Sequence, residues 1–203
     1  MTGKPTLRMD AQSAAILPTL QFEDQHRLID WLVKNHGKST GFWLQFAKKG
    51  IDIESVTYAE AVEAALCFGW IDGKKQAQDE QFWLQKFTPR AKNSVWSSIN
   101  KEKALALIKA GKMTAAGIRQ IELAQENGRW DAAYDSASKA SIPADFQSEL
   151  DSNRRAKMFF ESLDSRNRYA ILFRIQTAKK AETRAKKIVQ FMQMLERHEK
   201  VHP

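Results

Sequence analysis

The sequence predicts an α+β fold that is mainly helical, with a small antiparallel sheet of about three strands in the N-terminal half and a helical C-terminal half. Three observations carry this expectation. The chain has 203 residues, 43% hydrophobic and 28% charged, which is enough to bury one substantial core and is ordinary for a globular protein. Short aromatic-rich runs at Phe42–Phe46, Trp70–Gln76 and Phe82–Thr88 have the composition and length of strands. From Asn100 onward, apolar residues recur at helical spacing between cap and stop residues.

The elements follow in order. Residues 1–21 mix polar side chains with Pro5 and Pro18 and keep no period, which predicts an irregular arm. A helix over 24–36 turns Leu28, Ile29, Trp31 and Leu32 inward and stops at Gly37. Phe42–Phe46 reads as a buried strand. Thr57-Tyr58-Ala59-Glu60 fits a capping box, in which hydroxyl and carboxylate each satisfy an orphan backbone donor; it opens a helix running to Phe68, ended by Gly69. Two strands, 70–76 and 82–88, flank the polar Ala77-Gln78-Asp79-Glu80.

The helical half begins with Asn100 as a cap and Leu105, Leu107 and Ile108 as apolar positions before Gly111. Thr114 caps a second helix ending at Gly128, Pro143 opens another, and Ser152 and Ser165 read as caps of two more. Ala178, Ala181, Ala185, Ile188, Met192 and Leu195 alternate three and four apart, the seam of a helix packed along its length, with a break expected near 179–182. The resulting segments are an arm (1–21), an α+β core holding an aromatic and basic stretch (22–135), and a basic helical region packed on that core (136–203).

Composition narrows the function classes. No apolar run approaches the roughly 20 residues of a membrane-spanning helix, and the first 20 residues lack a signal-peptide layout, so a cytoplasmic protein is expected. The single cysteine, Cys67, excludes an internal disulfide framework and a cysteine-cluster metal site, and it sits in an apolar run suited to a small core residue. His26, His36, His198 and His202 have no metal-ligand spacing. No metal or cofactor is called for. The net charge of +8 is uneven, since residues 151–203 hold 13 Lys and Arg against 6 Asp and Glu. The cluster Lys179, Lys180, Arg184, Lys186 and Lys187 suits phosphate contacts through charge, and equally suits a solvated helical face or docking against the body or a second copy.

The candidate ligand site lies in the aromatic and basic stretch. Arg90 supplies a planar fork for two oxygens, Lys92 a point charge, and Ser94 and Ser97 hydroxyl donors, while Trp70 and Trp96 offer stacking walls and Asn100 opens a helix whose amides can add to an anion site. The same residues fit a plainer reading, in which Thr88-Pro89 turns the chain out of a strand and Trp96 fills the core. Asp72 beside Trp70 and Ile71 is a candidate acid or base if an apolar wall raises its pKa; alternatively it pairs with Arg90 or caps a turn. No second carboxylate stands at a useful spacing, so an enzyme centred on Asp72 and Arg90 is the weakest reading.

Several ordered blocks carry a resemblance: ALCFGWIDG at 65–73, FTPR at 87–90, SVWSSIN at 94–100, GKMTAAG at 111–117, GRWDAAYD at 128–135 and AKKAETRAKKI at 178–188. With these the chain resembles the YdeI/OmpD-associated family, also called bacteriocin-protection proteins, over about residues 22–197. Ala181 stands where that family often shows proline. The resemblance implies a stress-protection context, association with an outer-membrane porin, and resistance to bacteriocins or cationic antimicrobial peptides, without a catalytic role for any residue. The leading expectation is a protein that binds a small anionic or planar ligand or a protein partner; a nucleic-acid-associated protein using the basic helices is the alternative. Oligomeric state stays open.

Overall fold

The computed structural model describes residues 17–136, 139–178 and 180–203. Lys179 of the basic cluster and residues 1–16 of the arm lie outside them. Contacts divide the chain into two compact units: residues up to Ala65 with Trp70–Pro89, and Leu66–Gly69 with Arg90–Pro203. These units follow contacts, whereas the segments drawn from the sequence follow composition and charge.

The first unit holds β1 (Thr19–Leu20), α1 (Gln25–Asn35), β2 (Phe42–Ala47), most of α2 (Tyr58–Cys67), β3 (Trp70–Ala77) and β4 (Phe82–Pro89). The strand order is β1-β2-β4-β3, with β1 parallel to β2 and the other pairs antiparallel. The sheet therefore has four strands and is mixed, where about three antiparallel strands were expected. The extra strand is two residues of the segment read as irregular; it is too short to show a period and is specified by its pairing of Thr19 with Trp43.

Phe42, Leu44 and Phe46 alternate into the core along β2, and Leu28 and Leu32 are buried on α1. An aromatic cluster forms around Phe42, with Trp31 edge-on at 4.7 Å and Phe87 stacked at 5.9 Å. The capping box at α2 is present: Thr57 N donates to a Glu60 carboxylate oxygen at 2.9 Å and Glu60 N to Thr57 Oγ1 at 3.3 Å. The Thr57 amide also holds the Glu60 carboxyl below its ordinary pKa by bonding its charged form. In β3 the register with β4 shifts between Asp72 and Lys75, and the buried Gln85 donates from Nε2 to the Gly73 carbonyl at 2.7 Å, satisfying an acceptor that the irregular ladder leaves over.

The second unit contains α3 (Ser98–Lys109), α4 (Ala115–Glu126), α5 (Ala144–Ser152), α6 (Arg154–Ser162), α7 (Ser165–Gln176) and α8 (Ala181–Glu196). Several caps differ from those expected, in each case because a neighbouring residue competes. Ser97 rather than Asn100 caps α3, Asn153 rather than Ser152 caps α6, and Asp164 rather than Ser165 caps α7. Thr114 caps α4 as expected, and its hydroxyl also donates to the Cys67 carbonyl at 2.6 Å. In α3, Leu107 is buried with Ala104, while Leu105 and Ile108 stay exposed.

A core of Phe146, Leu150, Phe160, Ile171, Ile175, Ile188, Phe191 and Leu195, among others, joins α5 to α8. The break expected near 179–182 lies between the end of α7 and the start of α8. The α8 seam is shorter than the spacing implied: Ile188, Met192 and Leu195 are buried with Phe191, whereas Ala181 and Ala185 are exposed. Among the described residues no helix is long and apolar enough to cross a membrane.

Candidate functional site

The residues of the aromatic and basic stretch are distributed over the two units. In the first unit, Trp70 is 1% exposed; its ring meets Trp31 edge-on at 5.9 Å, and its Nε1 donates to the His36 carbonyl at 3.3 Å. Asp72 accepts from the Tyr58 hydroxyl at 2.7 Å. Tyr58 is a partner that sequence reasoning missed, being 14 residues away on a different element.

In the second unit, Arg90 and Trp96 come together. The guanidinium carbon lies 3.6 Å from the centre of the Trp96 ring, and Nη1 donates to the Val95 carbonyl at 3.3 Å. Arg90 is 6% exposed and Trp96 1%. A desolvated cation on an indole face is a strong local contact, but this one is directed into the interior. Ser94 is also engaged locally: its Oγ accepts from Ala91 N at 3.0 Å and its carbonyl from Arg129 Nη1 at 2.6 Å. Asn100 donates its backbone amide to the capping hydroxyl of Ser97 at 3.1 Å, and Lys92 is exposed. Neither indole presents an open face as a stacking wall.

These contacts show what the SVWSSIN and GRWDAAYD blocks do. Tyr134 N donates to the Trp96 carbonyl at 3.0 Å, Ser98 N to the Tyr134 carbonyl at 2.8 Å, and Ser98 Oγ to Asp135 at 2.9 Å. Trp96 and Trp130 meet edge-to-face at 4.9 Å. Arg129, 5% exposed, donates also to Asn127 and to the Leu123 carbonyl. Two stretches separated by some 35 residues are thus locked by backbone bonds and by Arg129, so the blocks specify a scaffold.

The basic cluster is largely committed as well. Arg184 bonds Asp145 bidentately, at 2.6 and 2.8 Å, and donates to the Ile175 carbonyl at 2.9 Å. Lys187 donates to the Arg174 carbonyl near the end of α7 at 3.0 Å, and Lys186 pairs with Glu182 at 2.7 Å. Lys180 is exposed and has no ion pair among the described residues.

A different set of residues forms an open groove of about 700 Å³ in the second unit, lined by Arg154, Arg155, Met158, Phe159, Ser162 and His198. Met158 is 61% exposed. The His198 ring lies flat on Phe159, with centres 4.8 Å apart and planes 5° from parallel, and Arg155 Nε donates to His198 Nε2 at 3.4 Å. The helical spacing of 154, 155, 158, 159 and 162 was legible as one face of α6. His198, 43 residues away from Arg155, was not. Chemically, the groove joins an apolar floor to two cations, an arrangement suited to an amphiphilic anion.

The fold is α+β, and its helical part from α5 to α8 carries this groove. Residues 139–198 match the family described as "Bacteriocin-protection, YdeI or OmpD-Associated". Residues 20–120 match a "Domain of unknown function (DUF8412)". The blocks from ALCFGWIDG to GKMTAAG fall in the second of these matches, GRWDAAYD lies between the two, and AKKAETRAKKI falls in the first. No curated protein and no solved structure matches the chain.

Proposed function

We infer that this chain is a binding protein with a role in bacteriocin protection, which supports survival against bacteriocins or cationic peptides by holding an anionic or planar ligand or partner. One observation carries the reading. The segment matched by the bacteriocin-protection family, residues 139–198, coincides with α5 to α8, and these helices bear an apolar groove rimmed by arginine. Cationic rims favour anions through charge-assisted hydrogen bonds, whereas an apolar floor selects for a ligand with a body to bury. The Arg90–Trp96 pair supports the groove's unit as an internal brace and gives the ligand no surface.

The test is survival of a sensitive bacterial host that expresses the chain, compared with an empty vector, under challenge with a pore-forming bacteriocin and separately with a cationic antimicrobial peptide. The reading expects more survivors with the chain present. Equal survival at matched, verified expression would sink the protective role.

A further inference from the structure

Two local choices on α6 and α8 run against helix physics, and both converge on the groove. Arg154 and Arg155 occupy the first two positions of α6, which has no acidic residue in its first turn. The positive end of a helix dipole disfavours cations there. His198 follows the α8 cap with φ of +57°, the only non-glycine residue with positive φ among the described residues. That position usually takes glycine, because a side chain in the left-handed region meets its own backbone. Strained residues persist where surrounding structure holds them, and here His198 N donates to the Leu195 carbonyl while the ring stacks on Phe159.

The charges around the groove leave its cations available. Asp151 pairs with Lys157 at 2.8 Å, Glu199 with Arg197 at 2.9 Å, and Glu196 accepts from the Asn153 amide. Arg154 has no ion pair and no side-chain hydrogen bond among the described residues, and the Arg155 side chain bonds only His198. Beside them lie Met158, largely exposed, and the Phe159–His198 stack. A volume of about 700 Å³ falls inside the range of roughly 300–1,000 Å³ typical of small-molecule sites.

We propose that this groove is a binding site for a small organic anion with a flat apolar body, the anionic group held by Arg154 and Arg155 and the body laid along Met158, Phe159 and His198. The proposal deepens the binding role inferred above and rests on it, naming the site and the class of ligand. Breaking two local rules at one groove is the pattern of a site whose residues are kept for binding, not for stability.

The test is calorimetric titration of the purified full chain with 2-naphthoate, with 2-naphthalenemethanol as the neutral body and inorganic phosphate as the bare anion. Naphthoate should bind, and each comparator at least about tenfold more weakly, since losing a charge-assisted bond or the buried body removes that much affinity. Arg154→Gln combined with Arg155→Gln should weaken naphthoate by a similar factor. Met158→Glu, at a side chain exposed enough to leave folding intact, should do so by placing a carboxylate in the ligand's path. Equal affinity for the alcohol, undiminished binding by Met158→Glu, or no binding up to the solubility limit each overturns the proposal. The titration uses no cells, so its failure removes the groove's ligand, while failure of the survival assay removes the protective role.

Discussion

Gly117→Ala tests how the Leu66–Gly69 segment is joined to α4. A Cβ at Gly117 would collide with the Cys67 carbonyl oxygen and come within 2.7 Å of Met113 Cε and 2.9 Å of the Cys67 carbonyl carbon. The methionine end can swing away. The carbonyl cannot, because it accepts from Thr114 N at 3.2 Å and from Thr114 Oγ1 at 2.6 Å, which tie the last turn of α2 to the start of α4. Alanine gains roughly 1 kcal/mol over glycine in a helix interior. Against this stand an overpacking cost of roughly 1–3 kcal/mol and about 1 kcal/mol for each weakened hydrogen bond. With both hydrogen bonds weakened, the net expectation is a loss of about 2–4 kcal/mol, a fall in melting temperature of roughly 4–16 °C for a chain of this size. Urea unfolding followed by circular dichroism reads it, with Gly37→Ala as a control at a glycine that has open space around its Cβ position. A Gly117→Ala protein as stable as the parent would refute the close approach.

Three further outcomes follow from the same contacts. Asp145 is held below its ordinary pKa chiefly by the hydrogen bond from Arg184, so it stabilises the fold above the unfolded carboxylate pKa of about 3.9 and that contribution is lost as pH falls through the folded value. Asp145→Asn should therefore cost about 0.5–1 kcal/mol at neutral pH and flatten the acid limb of the stability curve measured by pH-dependent unfolding. Asn167, 1% exposed, accepts from His202 N at 2.8 Å and donates to the His202 carbonyl at 3.2 Å; Asn167→Ala should cost about 2–3 kcal/mol and speed amide exchange at His202. Gln85→Leu keeps the buried volume but strands the Gly73 carbonyl, with an expected loss of about 1–3 kcal/mol in urea unfolding, and unchanged stability would show that this carbonyl has another partner.

Elements were legible where local chemistry decides them. The capping box at Thr57 and Glu60, the Thr114 cap and the stop at Gly69, with φ of +75°, each rest on groups within four residues of one another or on one backbone angle. Where several cap-capable residues crowd together, as in Ser97-Ser98-Ile99-Asn100, the choice falls to a distant pairing. Ser98 N is claimed by the Tyr134 carbonyl, which fixes Ser97 as the extended residue before the helix. Strand β1 escaped for the same reason, since only β2 gives its two residues a register.

The candidate site was legible as chemistry and not as exposure. Composition shows that Trp70, Arg90 and Trp96 are large aromatics and a planar cation; it does not say that Trp70 joins the Phe42 cluster or that Arg90 lies under 10% exposed on Trp96. The groove on α6 offered two readable signs, the helical spacing of its lining residues and two arginines in a first helical turn without a carboxylate. Its other half, His198, depends on the return of α8 and on a backbone angle that sequence does not display.

The groove of α6 and His198, proposed above as a site for an apolar anion, can be watched directly. Methyl resonances of the protein labelled at methionine test it most directly, during titration with 2-naphthoate. With ligand in the groove, the Met158 methyl, 61% exposed there, should shift progressively and saturate while those of Met113 and Met192 stay in place. A stationary Met158 signal in the presence of bound naphthoate would contradict it.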